Sequence, residues 1–320
     1  MPLLTPWQRG IIVAMLALAM LSACAPSAPQ PPRPNGIALA SDGSLVVMAL
    51  GNHRVLRLSP EGRLQDSFGK LGSGPSDIYE GWGTALDAAG NIYLCHRWRD
   101  EEAGVDRESV KVFSPRGQLL REIPTPGDVD EGCYSVRIDS EGRIFAVYSA
   151  TNRLRVFDPQ GELLATLWGE TGTGPGQFQG LRDVAFDPAR GLLYASDAAN
   201  SRIQQFALET SADGEIAATH RLSFGAYGRG PGELYYPQYL AVDPATGHLA
   251  VGDMGNRRVQ IFDADGRPLA QLAPPDVEDW QVMGLAFAED GALFAADALN
   301  GAIWVFEPDG RLRRTIEVPS

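Results

Sequence analysis

Gly51-Asn52-His53-Arg54-Val55 is the stretch on which the reading of this chain turns, because it returns with variation further along. Its echoes are Ala150-Thr151-Asn152-Arg153-Leu154, Ala199-Asn200-Ser201-Arg202-Ile203, Gly255-Asn256-Arg257-Arg258-Val259 and Leu299-Asn300-Gly301-Ala302-Ile303. A phrase that recurs at intervals of tens of residues marks a repeat architecture, in which each copy buries its apolar faces against its neighbours.

Aligned on this phrase, the chain divides into six units beginning near Gly36, Gly83, Ser135, Asp183, Tyr239 and Gly284. Each holds four short strand-like runs, and four strands in roughly 40–50 residues is the spacing of a propeller blade. The turns say the same independently. Gly43, Gly90, Gly142, Gly191, Gly247 and Gly291 close the turn between first and second strands, and Gly62, Gly117, Gly161, Gly214, Gly266 and Gly310 close that between third and fourth. Glycine reaches positive φ without steric cost and forms the bulge that follows a type I turn in a hairpin. No long helical pattern interrupts the series, so the fold class is all-β: a six-bladed β-propeller with four-stranded antiparallel blades.

The units resemble NHL repeats. The resemblance covers residues 36 to about 318 and rests on the first-strand motif Asp183-Val184-Ala185-Phe186-Asp187, on the second-strand aspartates Asp197, Asp253 and Asp297, on the Asn-x-Arg corners, and on linkers such as Gly172-Thr173-Gly174-Pro175-Gly176-Gln177-Phe178. It implies six blades. Since the first unit opens on an inner strand and the sixth ends on an outer one, each blade is expected to use contiguous sequence, with a strand exchange at the closure as the alternative.

The N-terminus reads as a targeting segment. Arg9 precedes an apolar run from Ile11 to Leu21, too short to span a bilayer as a stable helix. Leu21-Ser22-Ala23-Cys24 resembles the lipobox of bacterial lipoproteins, which makes Cys24 the expected lipid-bearing N-terminus. The organisation is therefore residues 1–23 as signal peptide, 24–34 as lipidated cysteine and Pro-rich linker, and 35–320 as propeller. A formal net charge of -13 repels phosphate backbones, which sets nucleic acid aside as a partner. The expected location is the cell envelope, on a lipid anchor, as a monomer.

The recurring corners read as structure, since a group needed in five blades belongs to what each blade requires: Asn closing a turn, Arg pairing with a carboxylate. More informative are the places where the repeat breaks its own rule. The second-strand aspartate becomes Ala49, His96 and Tyr148 in units one to three, and Arg137 is the only charge in a first-strand column otherwise held by Ala38, Ala85, Ala185, Ala241 and Ala286. Unit two replaces its corner with the charged insertion Arg97 to Ser109. The linkers Pro124 to Glu131 and Pro274 to Trp280 turn acidic where others are glycine-rich.

These breaks predict a channel-face site formed by Trp82, His96, Tyr134, Arg137, Arg182, Gln238 and Tyr239, all at the end where the linkers emerge. Cys95 and Cys133 fall in adjacent units near that end and are expected to form a disulfide in an oxidising compartment. The leading functional expectation is a surface-tethered binding or scaffold propeller that presents this face to a protein, glycan or small ligand. The alternative is a divalent-metal hydrolase or lyase, with Glu80, Glu131 and Asp183 as oxygen ligands for Ca²⁺ and Arg137 and Tyr134 polarising a substrate. The sequence holds neither a Gly-x-Ser-x-Gly elbow nor histidines placed to converge on zinc.

Overall fold

The computed structural model of the chain describes residues 32–72, 74–100, 102, 104–126 and 131–320. The signal segment, Cys24 and most of the Pro-rich linker lie outside the described residues, as do residues 127–130 of the acidic linker.

Six sheets of four strands follow one another, and in each the strand order is the sequence order. The innermost strands are Pro34–Leu39, Glu80–Leu86, Cys133–Ile138, Leu181–Asp187, Pro237–Val242 and Val282–Phe287. All pairings within blades are antiparallel, so a short hairpin suffices at each connection. Each of the twelve turn glycines has positive φ, from +63° at Gly191 to +95° at Gly161.

Blades are radial sheets covered on both faces, which explains why their second strands carry continuous rather than alternating apolar runs. Leu45–Ala49 and Ile144–Tyr148 are buried at every position, whereas the outermost strand Leu312–Glu317 is mostly uncovered. The core lies between blades. Ala85 and Tyr93 of blade 2 pack with Val136 and Ile144 of blade 3, and the ring closes in the same way, Ile37 and Val47 of blade 1 packing against Phe294 and Val305 of blade 6. Contiguous blades are therefore what the structure shows: among the described residues no strand is exchanged at the closure.

The alanine column suggests that crowding near the axis falls on those alanines. Close approach is also found two residues earlier, at Gly83 of blade 2. A Cβ on Gly83 would stand 2.8 Å from Ser135 Cα, inside the contact any side chain tolerates, while Ala38 and Ala286 remain partly open.

Candidate functional site

The second-strand aspartates are brackets for the corners. Asp197, fully buried, accepts from Gln179 N at 2.8 Å, Arg202 Nε at 2.7 Å and Asn200 Nδ2 at 2.9 Å. Asp253 repeats this with Tyr235 N, Arg258 Nε and Asn256 Nδ2. Asn200 and Asn256 also donate to linker carbonyls, Gly172 O and Gly228 O, each at 2.8 Å. The corner phrase thus ties the second strand, the corner and the preceding linker together.

Blade 2 keeps the function of the bracket with different chemistry. His96 Nε2 stands where the aspartate oxygen would and accepts from Tyr79 N at 3.2 Å. Burial, with Lys111 nearby, holds its imidazole neutral by lowering its pKa to about 3, as an acceptor nitrogen requires. Lys111 Nζ donates to Gly74 O and Asp77 O, the role that Gln204 Nε2 plays toward Gln177 O in blade 4. His96 is therefore 1 % exposed and built into the blade, away from the site expected for it. Blade 1 abandons the bracket: with Ala49 in place of the aspartate, both polar side-chain atoms of Asn52 are buried without a partner.

At the linker end of the channel, five of the expected residues come together. Trp82 stacks on Tyr134 with centroids 5.3 Å apart. Arg182 lies over the Tyr134 ring at 4.8 Å and donates from Nη2 to Tyr236 OH at 2.8 Å. Tyr239 OH donates to Tyr134 OH at 3.1 Å, and Tyr134 OH donates to Gln238 Oε1 at 2.7 Å. Burial raises both phenol pKa values, which keeps the two hydroxyls protonated and able to donate along this chain. Inner-strand geometry brings this about, since each blade points the residues at the start of its first strand into one mouth. The sequence did not single out Tyr236 or Ser149, both within reach of Arg182; only the spacing of Tyr236 from the first strand of its blade could have flagged it. Tyr227 and Tyr235, in the linker before blade 5, stand 74 % and 42 % exposed on the same face and meet edge to face at 5.3 Å.

Beside this mouth, Cys95 and Cys133 join blades 2 and 3, their Cα atoms 5.5 Å apart and their sulfurs bonded. The insertion of unit two is a hairpin extension: the second and third strands run Ile92–Asp100 and Val105–Phe113 and stay paired to Asp100↔Val105. Its charges pair across the strands, Arg97 with Asp106 at 2.8 Å and Arg107 with Asp100 at 2.6 Å.

The carboxylates offered for Ca²⁺ stand apart, each with an arginine. Glu80 faces Arg97 at 4.0 Å. Glu131 takes Arg153 Nη1 at 2.7 Å and has Arg155 Nη2 at 2.9 Å, the latter an ion pair without hydrogen-bond alignment. Asp183 is fully buried, pairs with Arg137 Nη2 at 2.5 Å, and accepts from Ser135 Oγ, Leu240 N and Val184 N. Among the described residues no three His, Cys, Asp or Glu side chains gather as metal ligands.

Arg137 is the displaced member of the expected set. It is the fifth residue of Cys133–Ile138, three beyond Tyr134, and at about 3.3 Å per residue this carries it roughly 10 Å down the channel. There it lines a cavity of about 580 Å³ on the opposite face, the one formed by the first turns of blades 3 and 4.

The fold places the chain among six-bladed propellers, and comparison with known proteins agrees. No family model matches the sequence. Human NHL repeat-containing protein 3 is 29% identical over 233 residues, 69% of this chain and 62% of that protein. Peptidylglycine alpha-amidating monooxygenase of the rat is 26% identical over 203 residues, 57% of this chain but 20% of that protein, so the chain spans about a fifth of that relative's length. Among solved structures, hydrazine synthase of Kuenenia stuttgartiensis superposes with a TM-score of 0.60 at 16% identity, covering 90% of this chain and 99% of that one. A gluconolactonase of Xanthomonas campestris gives 0.61 at 19%, covering 84% of each chain. A streptogramin B lyase gives 0.58 at 14%, over 92% of this chain and 86% of that one. At such identities these structures show the shared fold alone. Together the NHL-repeat relatives and the six-blade architecture support the NHL-repeat propeller family for this chain.

Proposed function

We propose that this chain is a binding propeller of the cell envelope, tethered by a lipid on Cys24, whose linker-side channel mouth docks a protein or glycan partner. The observation that carries the reading is the aromatic and arginine surface at that mouth: Trp82 on Tyr134, Arg182 wedged between Tyr134 and Tyr236, and the exposed Tyr227 and Tyr235 beside them. Tyr, Trp and Arg dominate interface energetics because they offer large area, few rotamers and directed donors. Glycans use the same chemistry, stacking sugar faces on aromatic rings. The disulfide beside the mouth suits an oxidising envelope compartment. The anchor rests on the lipobox-like Leu21-Ser22-Ala23-Cys24.

A metal-dependent hydrolase or lyase finds less support. The carboxylates it would need are engaged by Arg97, Arg153, Arg155 and Arg137, and His96 is locked to the Tyr79 amide. Pull-down from envelope extract with wild type and Arg182→Ala tests the binding reading. A partner retained by the wild type and lost from the variant supports it; equal recovery removes this mouth from the account.

A further inference from the structure

The channel's other end carries a cavity apart from the mouth proposed as the partner surface. We propose that the turn-side cavity binds a small uncharged molecule with an apolar body and a single hydrogen-bond-accepting end, such as a carbonyl oxygen. At about 580 Å³ the space falls within the roughly 300–1,000 Å³ typical of ligand pockets. Its walls include Phe186, Leu285 and Phe287, with Ala241 and Ala286 leaving room between them.

Departures from the repeat converge on this cavity. Arg137 replaces the alanine of its column, and its side chain is 19% exposed to the cavity that it lines. Blade 4 has lengthened third and fourth strands, Arg202–Thr210 and Ile216–Phe224, nine residues each against five or six in blade 5 or blade 3. This extension sets Leu208 and Thr210 over the cavity, and Arg143 of blade 3 donates to Thr210 Oγ1 at 2.7 Å, joining the two blades across its rim.

The electrostatics select the ligand class. Asp183 offsets the charge of Arg137, and the hydrogen bonds of Arg137 to Asp183, Val136 O and Leu240 O leave guanidinium N–H groups unused. The group therefore offers donors without net charge. At the rim, Arg143 is spent on Asp139 at 2.7 Å and on Glu141 at 3.4 Å, and the lining Asp187 is held by Arg190 at 2.8 Å, so three carboxylates stand against two guanidinium groups. Such a rim disfavours a carboxylate, and an uncharged acceptor meets no such penalty.

The test uses benzylacetone, an uncharged aryl ketone, and 4-phenylbutyrate, its carboxylate counterpart, with the detergent-solubilised full-length protein. Ligand-observed NMR titration reads their affinities. The expected result is one saturable ketone site, at least ~10-fold weaker in Ala286→Trp, which fills the partly open cavity, and unchanged in Leu120→Ala on an exposed outer strand. Ala241→Trp serves as a second filling variant, and near-ultraviolet circular dichroism confirms that each variant folds. No saturable ketone binding, equal binding by both folded filling variants, or tighter binding of the carboxylate overturns the proposal.

Discussion

Arg137→Ala probes the channel where its physics is sharpest. The substitution strands Asp183, which is fully buried and loses its one cationic partner among the described residues while keeping Ser135 Oγ and the amides of Leu240 and Val184. Breaking a buried pair from one side costs about 3–5 kcal/mol, because the remaining charge is uncompensated. For a chain of this size that is a fall in melting temperature of roughly 10 °C.

The pH dependence separates this cause from simple loss of packing. Burial already raises the Asp183 carboxyl above its ordinary range, and Arg137 restrains that rise. Without Arg137 the folded-state pKa climbs further. A carboxyl whose pKa is raised by folding contributes stability that is fully present below its unfolded value near 3.8 and is lost as pH rises through the folded value. The gap between wild type and variant is therefore widest near pH 7 and narrows toward pH 4, by about 1.4 kcal/mol for each unit of additional shift. Urea melts of both proteins across that range measure it. A gap below about 1 kcal/mol near pH 7, or one that does not change with pH, refutes the assignment of a buried ionised pair.

The corner brackets give a contrasting pair: Asp253→Ala strands Arg258, Asn256 and the Tyr235 amide and is expected to cost about 3–5 kcal/mol, whereas Asn52→Leu removes two unpartnered polar atoms and is expected to raise the melting temperature. Calorimetry on the two variants checks both directions. The His96 imidazole, with its pKa depressed to about 3, contributes stability present above its ordinary value near 6.5 and lost as pH falls toward 3, at about 1.4 kcal/mol per unit; His96→Gln, which can still accept from Tyr79 N, should flatten that slope in acid titrations. Closing a loop of 38 residues, the Cys95–Cys133 bond is expected to contribute about 3–4 kcal/mol, read as the drop in melting temperature on reduction; two titratable thiols in the unreduced protein would contradict it.

How much was legible in the sequence follows from what repeats. Turn glycines, corner asparagines and second-strand aspartates recur because every blade needs the same backbone shape and the same bracket, so six blades and their strand order could be counted from the chain. The linker-side mouth was legible for a related reason, since Trp82, Tyr134, Arg182 and Gln238 occupy equivalent positions at the head of each inner strand. Depth along the strand was not. Arg137 stands only three residues past Tyr134, and alignment columns carry no sign that this distance moves a side chain from one mouth to the other. His96 was misplaced because its column marks a bracket, and a buried imidazole accepting an amide looks, in sequence, like an available ligand. The carboxylates hid their arginines too, because those pairs cross strands and blades. Arg137 and Asp183 lie in different units.

The central claim is that the linker-side mouth is the face that meets a partner, and site-specific photo-crosslinking in intact envelopes tests it most directly. A benzophenone side chain replaces Tyr227 or Tyr235 on that face, and Leu163, on the exposed outer strand of blade 3, in a control. The account predicts one discrete crosslinked species from the two tyrosine positions that Arg182→Ala abolishes, and none from Leu163. Crosslinks of equal yield at all three positions, or a species that survives Arg182→Ala, would contradict it.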